Sequence, residues 1–171
     1  MGDQDLFHLL ALQRVEGVGD IIAKKLITHF GDAESVFKAK VAQLSSIDGV
    51  GSVLLKNLKD KSVFEKANKE LEFIKSKNIN VTYFHDKQYP ERLKHCIDGP
   101  ILLFSSGNIN LENKKIISIV GTRQITSYGI EFCRKLMEDL APLDPIIVSG
   151  FAYGVDIVAH QFRSEEHTSE L

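Results

Sequence analysis

Residues 116–129 read IISIVGTRQITSYG. An apolar, β-branched run stops at Gly121, and the hydroxyls of Thr126 and Ser127 then precede a stretch of helical periodicity. A strand that ends in glycine and feeds a helix leaves backbone amides uncovered at the positive end of the helix dipole, where phosphate binds. The flanks repeat the pattern. KKIISIVG (114–121) and PIIVSG (145–150) are near-continuous hydrophobic runs, as expected of parallel strands covered on both faces. SYGIEFCRKLMEDLA (127–141) carries Ile130, Cys133, Leu136, Met137 and Leu140 at helical spacing, and YGVDIVAHQF opens another helix. This order predicts an α/β, Rossmann-like doubly wound parallel sheet, incomplete at its C-terminal end. INVTYF (79–84) and ILLFS (101–105) are expected to be further strands of it.

Loops leaving the C-terminal ends of parallel strands gather at one edge of a sheet. Two stand here, VGTRQITSYG and VSGFAYGVD. Neither carries the dinucleotide fingerprint G-x-G-x-x-G or the Walker pattern. Instead they offer Gly121, Thr122, Arg123 and Thr126, then Ser149 and Gly150. Arginine grips phosphate bidentately and is always charged. Separate phosphate pockets in a row suit an extended nucleic-acid backbone better than one cofactor, so no cofactor is expected.

The first sixty residues contain a repeat. VEGVGDIIAKKLITHF from Val15 and IDGVGSVLLKNLKDKS from Ile47 align at an offset of 32 residues. Each reads helix, Gly-Val-Gly turn, helix. The glycines Gly17, Gly19, Gly49 and Gly51 allow positive φ and expose amides at the start of the second helix; Lys24 could add charge. The pattern resembles the helix-hairpin-helix motif, used in pairs by DNA-handling proteins to hold the phosphate backbone. Turns that merely connect helices are the alternative. The domain assignment is therefore a helical domain over 1–77 and a Rossmann-like domain over 78–162.

Residues 163–171, RSEEHTSEL, are expected not to belong to the native protein. AGATCGGAAGAGCACACGTCTGAACTC, which resembles a sequencing-library adapter, translates to this peptide residue for residue. Composition bounds the rest. The 171 residues are 43% hydrophobic, enough for a packed core, and net charge is −2, so any nucleic-acid contact must come from local patches. The two cysteines have no metal or redox spacing. No stretch reaches membrane-spanning length, and a cytoplasmic location is expected. Asp156 and His160 lie four apart on one helical face, but no further catalytic group accompanies them, so neither an enzyme nor a metal site is expected.

VGTRQITSYG followed by IVSGFAYGVDIVAH, with YPERLKHCIDGPILLFSSGN upstream, resembles the signature of the DprA/Smf family, the DNA-processing proteins of bacterial transformation. The resemblance covers residues 5 to 162. It implies a single-stranded DNA-binding protein that protects incoming DNA and loads the RecA recombinase, without catalysis, and that dimerises when full-length. The implied DNA contacts are Gly121, Arg123, Ser149 and Gly150, with Thr122 and Thr126 beside them. Two rival readings stay open: a Rossmann-like nucleotide or nucleoside-phosphate hydrolase, and a helical adaptor that recruits DNA-repair proteins.

Overall fold

The computed structural model describes residues 1–107, 111 and 114–168, with residues 165–168 as backbone alone. It divides into two compact units, Met1–Ile109 and Asn110–Leu171.

The first unit is built around α1 (Asp3–Gln13), in which Leu6, Leu9, Leu10, Ala11 and Leu12 are all buried. A helix apolar on nearly every side belongs at the centre of a bundle. Around it lie α2 (Asp20–Phe30), α3 (Ala33–Lys38), α4 (Val41–Leu44), α5 (Ser52–Asn57) and α6 (Ser62–Ser76). The amphipathic α6 buries Val63, Ala67 and Ile74. Asp32 caps α3, its carboxylate accepting from the Ser35 amide at 2.7 Å. That bond holds the Asp32 carboxyl below its ordinary range.

The repeat is visible in the backbone. Gly17 and Gly49 have φ of +88° and +91°, the left-handed region that favours glycine. Val18 N–H donates to Val15 O, and Val50 N–H to Ile47 O, both at 3.0 Å. Gly19 and Gly51 are the N-caps of α2 and α5. The two copies also grip each other reciprocally. Lys25 Nζ donates to Asp48 O at 3.3 Å, and Asn57 Nδ2 donates to Glu16 O at 3.0 Å. A Cβ on Gly17 would point at Leu54, and one on Gly49 at Ile22. Each partner sits at the repeat offset from its counterpart, so the two turns face one another about a local pseudo-two-fold. One difference breaks the match: the helix preceding the second turn, α4, is a single turn long.

After α6 come β1 (Asn80–Tyr83), the short α7 (Glu91–Lys94) and β2 (Leu102–Ser105). β1 and β2 pair antiparallel, from Asn80 with Ser105 to Tyr83 with Leu102. They form their own two-stranded sheet and were expected in the doubly wound one. Ile101 and Leu102 are buried in the same core as the helices, and Ile101 N–H donates to Asp20 Oδ1 at 2.9 Å. The compact division therefore falls after residue 109, where the sequence suggested 77. The strand pair uses its apolar side to close the helical core.

The second unit holds β3 (Ile116–Ser118), α8 (Ser127–Leu140), a 3-10 turn (Ala141–Leu143), β4 (Ile146–Val148) and α9 (Val155–Thr168). β3 and β4 are parallel, with Ile116 beside Ile146 and Ser118 beside Val148. The helical crossover between them is the expected strand–helix–strand unit, with two strands where four were expected in one sheet. Met137, Ala159, Cys133 and Ile119 are its buried apolar residues, while Ile130, expected inward, is exposed. Burial raises the Cys133 thiol pKa. α9 runs past Phe162 without a break, and Arg163 donates to Asp144 Oδ1 at 2.7 Å. Lys114 reaches the other oxygen of Asp144 at 2.6 Å, and the two cations hold that carboxyl below its ordinary range.

Candidate nucleic-acid interface

In a parallel pair both strands end on the same side, so the loops after β3 and β4 must meet. They do so by direct contact. Gly154 has φ of +89°, and a Cβ there would lie 2.1 Å from Thr122 O. Val155 N–H donates to that same oxygen at 3.1 Å. A Cβ on Gly121 would fall 2.5 Å from Val155 Cβ. Glycine at 121 and 154 is thus required for one loop to cross over the other at the start of α9. The backbone approach, more than a contact with ligand, explains Gly121.

The hydroxyls are largely spent on shaping the loops. Thr126 caps α8, accepting from the Gly129 amide at 3.1 Å. Thr122 Oγ1 accepts from the Gln124 amide at 3.2 Å. Ser149 Oγ accepts from Phe151 N–H at 3.0 Å and lies 2.8 Å from His160 Nε2. Gly150 lies against Asp156, whose buried carboxylate accepts from Ala152 N–H at 3.3 Å. Asp156 therefore staples the second loop, while His160 faces Ser149 instead. Arg123 is exposed, and among the described residues no carboxylate pairs with it, so its guanidinium is available to an anion.

The sequence reading missed the aromatic side chains between these glycines. Phe151 takes φ of +53°, rare for a bulky residue, and is 70% exposed, with its ring 5.4 Å from that of His160. Tyr153 on the same loop is 80% exposed and Tyr128, in the first turn of α8, 79%. Two aromatics inside FAYG, a loop with no helical or strand periodicity, were the available signal. Among the described residues, the loops after β3 and β4 and the adjoining helix start thus present an unpaired cation, Arg123, and three exposed rings. Exposed rings beside a cation are the elements of a single-strand binding surface, in which bases stack and phosphates pair.

Of the hairpin residues, Gly17, Gly19, Gly49 and Gly51 sit at the two turns as expected. Lys24 does not point to open solvent. Its ammonium donates to Cys96 O and Ile97 O at 3.2 Å each and stands 5.8 Å from the Phe84 ring centre. Among the described residues no group of three or more His, Cys, Asp or Glu is placed to hold a metal ion. No helix there is long and apolar enough to cross a membrane.

Fold and loops together define an α/β protein whose glycine loops cross at the ends of parallel strands. Comparison with known proteins gives the family. A model of the DNA recombination-mediator protein A family matches residues 80–169. The chain is 29% identical over 164 residues to protein Smf of Synechocystis sp., covering 94% of this chain and 41% of that protein. It is 32% identical over 130 residues to DNA processing protein DprA of Bacillus subtilis, covering 75% of this chain and 43% of that one. The crystal structure of DNA processing protein A from Streptococcus pneumoniae shares the fold, with a TM-score of 0.62 at 22% identity over 98% of this chain and 55% of that one. This chain belongs to the DprA/Smf family of DNA recombination-mediator proteins. It spans well under half the length of the two relatives named from Synechocystis and Bacillus.

Proposed function

We propose that this chain is the DNA-binding part of a DNA-processing protein that holds single-stranded DNA during transformation, protects it and passes it to the RecA recombinase, without catalysing a reaction. The reading rests on family membership and, above all, on one observation: two glycine loops cross at Gly154 and Thr122, with Arg123 exposed and without a carboxylate partner among the described residues on the first and Phe151 exposed on the second. In this reading Arg123 pairs with phosphate, backbone amides around Ser149 and Gly150 add donors, and Phe151, Tyr153 and Tyr128 stack on bases. Stacking tolerates every base, which suits a protein that must accept any incoming sequence. The paired glycine turns of the first unit serve as a helix-hairpin-helix module with an auxiliary hold on the backbone. The full-length protein acts as a homodimer in the cytoplasm.

Fluorescence polarisation with labelled oligo-dT tests the reading. Arg123→Ala should weaken binding for all sequences alike and lower the salt slope by about 0.7, the value of one single-strand phosphate contact. Phe151→Ala should weaken binding by about 1–3 kcal/mol with the slope unchanged. Unaltered affinity in both folded variants would refute the assignment of the loops.

A further inference from the structure

We propose that a cleft in the first unit, separate from the glycine loops, binds a phosphorylated nucleoside. The cleft has a volume of about 890 Å³, within the range of small-molecule sites, and lies between α2 and residues 84–97. Six of its lining residues are basic: Lys24, Lys25, His29, His85, Lys94 and His95. None of the lining residues is Asp or Glu, in a chain whose net charge is −2. With histidine neutral, as in that net charge, the lining carries three ammonium groups, and among the described residues Lys24 has no carboxylate partner. Two exposed carboxylates flank it: Asp48 holds Lys25 at 2.7 Å, and Glu91 holds Lys94 at 2.8 Å with His95 Nε2 3.7 Å from its other oxygen. Those pairs orient the ammonium groups and leave each with N–H donors to spare. Lys24 likewise gives two of its three donors to Cys96 O and Ile97 O, which fixes its charge at the cleft wall.

The apolar part of the lining argues for more than an inorganic anion. The His85 ring lies 3.9 Å from the Phe84 ring, centre to centre and tilted by 50°, so each offers its own aromatic surface at the cleft. Ile97, 78% exposed, and Ile21 stand at the same cleft. A flat heterocycle against one of these rings and a phosphate on the lysines would satisfy both halves of the surface at once. A nucleoside phosphate has that chemistry, whether free or as a unit of a single strand. The proposal concerns the first unit alone and does not depend on the reading of the loops after β3 and β4.

Cys96 lines the cleft and is exposed, whereas Cys133 is buried, so thiol labelling of the full chain reports on this site. The rate of maleimide addition to Cys96 would be followed with AMP, ATP, oligo-dT, inorganic phosphate or poly-glutamate present. Nucleotide or oligo-dT should slow labelling several-fold, and phosphate alone should not. Equal protection by AMP and oligo-dT at matched nucleotide concentration identifies the single nucleotide as the recognised unit; protection by oligo-dT far exceeding that by AMP identifies a strand. His29→Ala with Lys94→Ala, both at exposed positions, should raise the half-protection concentration about tenfold, the scale of one lost charge-assisted hydrogen bond. Arg123→Ala should leave protection unchanged. Absence of protection by any nucleotide, protection by poly-glutamate equal to that by nucleotide, protection indifferent to the double substitution in a protein folded by circular dichroism, or its loss in Arg123→Ala would each overturn the proposal.

Discussion

The two units use glycine for different ends. In the first, Gly17 and Gly49 supply positive φ at two equivalent turns, and the repeats then hold each other through Lys25 and Asn57. In the second, Gly121 and Gly154 supply absence: a side chain at either would fill the space where one loop crosses the other. The cores differ in the same sense. The first unit buries Leu10, Leu12, Leu26, Ile27 and Ile101 almost completely, while the strands of the second are only half covered. A deep core makes a turn glycine a matter of stability. A thin core with crossing loops makes a glycine a matter of binding-surface geometry.

The largest test of this contrast removes part of the deep core. A chain ending at residue 77 loses β1, β2 and the buried Ile101 and Leu102, each such side chain contributing about 1.5–3 kcal/mol. Against a typical domain stability of about 5–15 kcal/mol, residues 1–77 should unfold without a cooperative transition, whereas residues 1–107 should melt as one unit in calorimetry. Equal cooperativity would restore the boundary at 77. Next comes the crossing: Gly154→Ala places a methyl group against backbone and should cost about 2–4 kcal/mol. Its effect should appear in hydrogen exchange of residues 114–164, together with loss of oligo-dT binding.

The third test sets one turn against the other. Both glycines have positive φ, but a Cβ on Gly49 would meet Ile22 Cδ1 at 2.6 Å, against 3.9 Å to Leu54 for Gly17. Gly49→Ala should therefore be the more destabilising by roughly 0.5–1.5 kcal/mol in urea unfolding; the reverse order would contradict the tighter contact at Gly49. The smallest effect belongs to the clasp between the repeats. Asn57→Ala removes one hydrogen bond to Glu16 O and should cost about 1 kcal/mol, with no change in DNA affinity.

Much of this was legible in the sequence because it is local. The Gly-Val-Gly repeat announced both turns, since little but glycine tolerates their φ. The run ending at Gly121 announced β3, its loop and α8. What stayed hidden depends on distant partners. β-branched and aromatic content marked 79–84, and a short apolar run before a glycine turn marked 101–105, as strands, but neither signal says which strand lies alongside, and so the antiparallel pair was placed in the wrong sheet. Lys24 looked like a free charge because the carbonyls that hold it lie more than seventy residues away. Phe151 and Tyr153 went unremarked, because exposure is a property of the folded surface and not of the residue.

The bond from Ile101 to Asp20 has a temporal side. Helices form from neighbours in sequence, but this contact joins the first turn of α2 to Ile101, 81 residues later and immediately before β2. At synthesis rates of about 5–20 residues per second, roughly 4–16 s separate the emergence of its two ends. For that interval the nascent bundle carries an open apolar side with no strand to cover it. The last residues of the unit to be made are thus the ones that close it, and the ribosome's pace sets how long the growing chain depends on its surroundings to stay out of trouble.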